Sequence, residues 1–266
     1  MRTLCCIVLV TVFWFGGGAK LDAAPEALSF NERAVLTHLQ KVSNGTLQIE
    51  WDEETKTPAK LSGMFSPPSR HSPEWIAYRF LQDTKRLYGL SNVKRSLRIK
   101  QTSRTADGGV NLELERHLFG TPVWGEGLTM VINQDGVLTQ ITGRITPHLE
   151  RKLFGYPMRP TISSQQAIEL AAMKHPDWNQ VKTKTVTASL FYLPLANTPQ
   201  LAYLVTYESL DGNHHHLFIH AITKRIMTEK NPFAIEGVLS LSFRSAYAHS
   251  SCVSNRCLNR ASKNST

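Results

Sequence analysis

The sequence predicts an α+β protein made of two small units, each a helix packed on an antiparallel sheet. Three observations carry that expectation. Apolar residues recur at helical spacing in stretches beginning near Phe30, Ile76 and Ala167. Between and after these stretches the period drops to two, with Asp-Gly turn signals separating the alternating runs. A Pro-, Gly- and base-rich stretch over 147–160 then divides the pattern into two parts.

In chain order, Phe30, Ala34, Val35 and Leu39 mark a first helix. Asn44-Gly45 is a turn, and Leu47, Ile49 and Trp51 alternate into a short strand. Pro67-Pro68 closes this N-terminal segment, residues 25–66. Ser72-Pro73-Glu74 opens a second helix, because serine caps and proline fits the first helical position. Ile76, Phe80, Leu81, Leu87 and Leu90 share its apolar face, and Gly89 lies where it should stop. Over 95–146 two hairpins follow. Asp107-Gly108-Gly109 turns the first and Asp135-Gly136 the second, and the glycine-flanked stretch 121–127 lies between them. These residues complete a region spanning 67–150.

The second unit covers 160–230. Ser164 is placed to cap a helix carrying Ala167, Ile168, Leu170 and Ala171, which Pro176 ends. Strands are expected at 186–193, 201–208 and 215–220, with a last short strand over 222–230. From 231 to 266 the periodicity decays, and residues 240–266 hold no acidic side chain. This tail reads as disordered.

With 41% hydrophobic residues the composition is globular. The net charge of +9 favours acidic partners or surfaces, but the basic residues are scattered and no nucleic-acid motif accompanies them. Arg2, the apolar run 4–15 broken only by Thr11, and the small residues 16–19 form a secretory signal, cut after Ala19 or alternatively near Ala24. The run is too short for a membrane span, so none is expected after cleavage. Beyond residue 19 the only cysteines are Cys252 and Cys257, which either close a short disulfide loop or stay as thiols.

Residues 74–146 resemble the fungalysin/thermolysin propeptide motif, FTP. The resemblance rests on the helix around Trp75 and Phe80-Leu81, on Phe119-Gly120-Thr121-Pro122-Val123-Trp124-Gly125, and on the Asp135-Gly136 turn closing at Ile141-Thr142-Gly143. Residues 162–230 resemble the PepSY domain that follows it in thermolysin-like metalloprotease precursors. Here the matching strings are Ile162-Ser163-Ser164-Gln165-Gln166-Ala167, Leu201-Ala202-Tyr203-Leu204-Val205 and 218–226. In the last string His220 stands where the family has Asp, and Lys224 where it has Gly, which suggests an altered turn.

The resemblance implies a pro-region that assists folding of a zinc metalloprotease catalytic domain and blocks its cleft. It implies no cofactor and no catalytic residue in this chain, which contains no HExxH. Two other expectations stand beside it. One is a precursor shortened by a frameshift or early stop, with no activity of its own. The other is an unrelated extracytoplasmic binding module on a PepSY fold.

Among chemistry-bearing clusters, His214, His215, His216 and His220 stand out. His216 and His220 have the spacing of a zinc helix, but the segment reads as a strand, on which they lie ~13 Å apart. His214 and His216, two apart on one face of a strand, are the metal candidates that remain. Trp75, Trp124, Trp178 and Tyr203 read as packing residues, Trp124 on a glycine-flanked loop. The glycines near Trp124 lack the strand and helix context of a phosphate loop.

Overall fold

Ser29 starts the first helix. Its Oγ accepts the Glu32 N–H, while the Glu32 carboxylate accepts the Ser29 N–H at 2.7 Å, a reciprocal cap. This helix, α1, spans Phe30–Val42. The structure is a computed structural model that describes residues 28–227, apart from 175–177, 179–184, 196–197 and 211. The proposed signal segment, the 231–266 tail, and Cys252 and Cys257 lie outside the described residues. The chain divides into two units, one drawn from Met1–Pro157 with Pro194–Pro199, the other from Met158–Leu193 with Gln200–Thr266.

In the first unit, Ser72 and Pro73 open α2 (Pro73–Thr84), with the Trp75 N–H bonded to Ser72 Oγ at 3.3 Å. Ile76, Ala77, Phe80 and Leu81 form its buried face. The helix ends at Thr84, five residues before Gly89. Tight turns formed by Leu87 N–H to Thr84 O and Gly89 N–H to Arg86 O take over there. Asn92 then caps a single turn, α3 (Val93–Ser96), absent from the sequence reading because one turn has no periodicity to detect.

Six antiparallel strands form the first sheet: β1 (Gln48–Trp51), β2 (Pro58–Ser62), β3 (Leu97–Arg104), β4 (Val110–Leu118), β5 (Thr121–Ile132) and β6 (Leu138–Arg144). Their spatial order is β1-β2-β6-β5-β4-β3. Pairing of Leu61 with Ile141 joins the N-terminal segment to the hairpins, so both stretches share one sheet. Leu61, Leu112, Met130, Leu138 and Ile141 on the strands, with Ala77 and Leu81 on α2, belong to one buried core. Each such large aliphatic side chain contributes roughly 1.5–3 kcal/mol when removed from water. The stretch 147–160 is not wholly a linker. It holds a short helix, α4 (Leu149–Lys152), anchored by the buried Leu149.

In the second unit, α5 (Ser164–Lys174) packs on β7 (Thr187–Leu193), β8 (Gln200–Glu208) and β9 (His214–His220). The three strands are antiparallel in the order β7-β8-β9. The cap of α5 is Ser163 rather than Ser164: Ser163 Oγ accepts the Gln166 N–H and Gln166 Oε1 accepts the Ser163 N–H. Ala167 and Ala171 on α5 are fully buried, and the Tyr203 hydroxyl donates to Ile162 O at 3.0 Å.

After β9 the chain makes a tight turn at the two positions flagged as departures. His220 Nδ1 accepts the N–H groups of Ile222 and Thr223, both at 3.1 Å. A neutral imidazole thus supplies the two-fold acceptor that a carboxylate offers in an Asx turn. Burial and the neighbouring Arg225 lower the His220 pKa, which keeps that lone pair available. Lys224 adopts φ +63°, a left-handed conformation. Of the last expected strand the described part holds a single bridge, Ile219 to Ile226, and 228–230 lie outside the described residues.

Left-handed backbone costs a residue with a Cβ on the order of 1 kcal/mol or more. Lys224→Gly is therefore expected to stabilise the chain by about 0.5–1 kcal/mol in urea unfolding, after allowing for the entropy glycine adds to the unfolded state. Destabilisation would show that the lysine side chain is needed at that turn.

Candidate functional site

The β4–β5 hairpin turns on Phe119 and Gly120, both at positive φ, as a two-residue hairpin of right-handed twist requires. Leu118 pairs with Thr121 and His117 with Pro122, but the next pair is Glu115 with Gly127. One residue on β4, Arg116, therefore faces the stretch 123–126 on β5. The strand bulges outward there and re-aims its side chains. Gly127 closes the bulge, and a Cβ at that position would lie 2.4 Å from Leu114 O, so only glycine fits.

The bulge places charged groups indoors. Arg116 is fully buried. Its Nη2 donates to Glu150 Oε1 at 2.9 Å, and Ser96 Oγ donates to the same oxygen at 3.1 Å. A longer contact of 3.4 Å runs from Nη1 to Ser96 O, while Nε has no hydrogen-bond partner among the described residues. Glu126 is buried as well. Its Oε1 accepts the Thr146 N–H at 3.0 Å, and its Oε2 has no partner among the described residues. Burial pushes the Glu126 carboxyl up to about 7. The Thr146 hydrogen bonds and the charges of Arg116 and Arg144 act in the opposite sense without cancelling it. Arg144 is engaged elsewhere, bonded to Glu54 and lying 3.8 Å from Asp52. At the hairpin tip, His117 bridges Glu115 Oε2 at 2.9 Å and Gly120 O at 3.1 Å.

This arrangement braces a loop. Nothing in it pairs a nucleophile with a base or converges on an open reaction centre. The half-buried Trp124 sits on the bulged segment. Trp75 is half exposed and stacks on His71 at 4.0 Å between ring centres, whereas Tyr203 is buried, and Trp178 packs at a tilt against Tyr207.

The histidine cluster lies on β9. His214 and His216 are exposed and share one face of the strand by alternation. His215 points the other way and stacks on Tyr207 with an interplanar angle of 10°. Burial, with His214 and His215 nearby, lowers the His216 pKa. Among the described residues no group of three or more His, Cys, Asp or Glu side chains converges as a metal site.

Arg116 and Glu126 were missed in sequence, yet the signal is there. Leu112, Leu114 and Arg116 are spaced by two, as are Glu126, Leu128 and Met130. Both charged residues fall in inward register with core residues.

Comparison with known proteins gives the hairpins a context. Residues 95–145 match the Fungalysin/Thermolysin Propeptide Motif. The matched stretch runs from α3 through β6 and includes Arg116, the bulge, Glu126 and Arg144. The chain is 25% identical over 192 residues to bacillolysin of Bacillus cereus, an alignment covering 68% of this chain and 33% of that protein. It is 29% identical over 174 residues to the thermostable neutral protease NprT of Geobacillus stearothermophilus, covering 59% of this chain and 29% of that protein. The chain thus spans about a third of the length of these curated relatives. Among the described residues no helix is long and apolar enough to cross a membrane.

The Glu126 carboxyl titrates at about 7 in the folded chain against an ordinary 4.5. Between those values the folded state holds a proton that the unfolded state has released. Its contribution is therefore full below about pH 4.5 and is lost as pH rises through about 7, by on the order of 3 kcal/mol. Glu126→Gln is expected to be more stable than the parent at pH 8 and close to it at pH 4.5 in denaturant titrations. Parallel pH profiles for the two proteins would contradict this.

Proposed function

We propose that this chain is an exported pro-region that binds the catalytic domain of a thermolysin-like zinc metalloprotease, holds it inactive and assists its folding. The single observation that carries this reading is the propeptide motif matched over residues 95–145. In this reading the chain contributes surface and no catalytic group. The charges inside the bulged hairpin support that role, because they fix a loop in place instead of meeting a substrate.

The energetics are simple. A domain that binds the native protease but not its unfolded chain stabilises the native state by mass action, about 2.7 kcal/mol at a concentration one hundred times the dissociation constant. The same contact covers the cleft that would otherwise digest its neighbours.

The second unit is proposed to be a PepSY domain. Support comes from α5 leading into a three-stranded meander, from the Leu201-Ala202-Tyr203 string on its central strand, and from His220 taking the acceptor role expected of Asp. Export is proposed from residues 1–19.

Titration of the full chain against a thermolysin-like protease tests this reading. The expected result is saturable inhibition with the chain remaining intact on a gel. Digestion as an ordinary substrate, or no effect on protease activity, would contradict it.

A further inference from the structure

Beside α1 in the first unit lies a cleft of about 350 Å³, walled by the end of α2 and the turn into α4. Lys85, Arg86, His148 and Arg151 line it, together with Glu32 and Glu150. The two acids are already engaged. Glu32 accepts the Ser29 N–H, and Glu150 accepts from Arg116 and Ser96. Among the described residues Lys85, Arg86 and Arg151 form no ion pair. The Ser29 N–H leaves the Glu32 charge in place, but with Glu150 paired to Arg116 the cleft still carries an excess of cationic groups, Lys85, Arg86 and Arg151, on a chain already at +9.

Its walls pack directly on each other. Gly89 has φ +59°, and a Cβ there would lie 2.4 Å from Pro147 Cβ, so the two segments touch backbone to ring. The His148 N–H donates to Gly89 O at 3.2 Å, and His148, a lining residue, adopts a left-handed conformation. Two large apolar side chains sit on the same segments. Phe30, between the lining residues Ser29 and Asn31, is 84% exposed. Phe154, whose N–H bonds to Arg151 O, is 88% exposed. Dispersed cations would suit any anion, but a free phosphate has no use for two aromatic rings beside them. Arginine in a concavity, with exposed aromatics on the segments that line it, is the composition of a polypeptide docking site.

We infer that this cleft docks an acidic polypeptide segment carrying apolar side chains, with Lys85, Arg86 and Arg151 pairing to its carboxylates and Phe30 and Phe154 covering its apolar groups. The inference deepens the proposed function and rests on it only for the partner's identity, which would be an acidic stretch of the protease. The guanidinium forks match carboxylates in two-point contacts, and complementary charge raises the encounter rate.

The test uses the full chain and a fluorescent glutamate–tyrosine copolymer, read by anisotropy. The parent is expected to bind saturably, and more weakly as salt is raised. Joint replacement Lys85→Gln, Arg86→Gln and Arg151→Gln should weaken binding about tenfold or more. A charge-matched control, Lys94→Gln, Lys100→Gln and Arg104→Gln on and beside β3, should leave it unchanged. Phe154→Ser, which alters an exposed ring and no charge, should weaken binding about threefold and serves if the triple variant does not fold. No binding by the parent, equal loss in the control, or displacement by equimolar inorganic phosphate would each overturn the inference. Protease inhibition by the unmodified chain is read separately, so failure of the cleft and failure of the pro-region reading remain distinguishable.

Discussion

A guanidinium taken fully out of water must find acceptors within the fold or leave a charge unpaired. Arg116 is in that position, and its demand organises the first unit. The Ser96 carbonyl meets it from the end of α3, and the Glu150 carboxylate meets it from α4. These contacts exist only if α3, β4 and the 149–152 turn sit where they do. A buried ion pair of this kind adds little net stability, because desolvation offsets its attraction, whereas removal of one partner is costly. Its effect is on arrangement: a hairpin slipped by one residue would turn Arg116 to solvent and strand Glu150.

The same pair links the bulged hairpin to the basic cleft. Glu150 faces both. Because Arg116 and Ser96 occupy one of its oxygens, its charge is spent inward and the cleft keeps its cationic character. Glu126 completes the picture from the other strand. Its second oxygen has no partner among the described residues, and burial holds its proton into the neutral range. The propeptide-like region thus has an internally braced frame and a surface whose chemistry is carried by exposed cations and aromatic rings. That division suits a protein that acts by binding a large partner.

Much of the fold was legible in sequence because period and turn chemistry agreed locally. Ser72-Pro73 marked α2, and Asp107-Gly108-Gly109 and Asp135-Gly136 marked two hairpins that the structure contains. Order that depends on distant partners was not legible. β2 at 58–62 has weak alternation and is a strand because Leu61 meets Ile141 across the sheet. α4 lay hidden in a Pro- and Gly-rich stretch because a single buried residue, Leu149, and contact with Gly89 define it. The site was less legible still. The histidines drew attention through proximity in sequence, yet strand geometry sends His215 to the opposite face from His214 and His216. Arg116 and Glu126, ordinary charges by composition, become special only when strand register turns them inward.

The most direct test is a hydrogen-exchange footprint of the full chain with and without a catalytically inactive thermolysin-like protease. If the region matching the propeptide motif binds the catalytic domain, amides within residues 95–145 will gain protection in the complex. An unchanged exchange pattern across that stretch, at protease concentrations saturating any inhibition, would contradict the account.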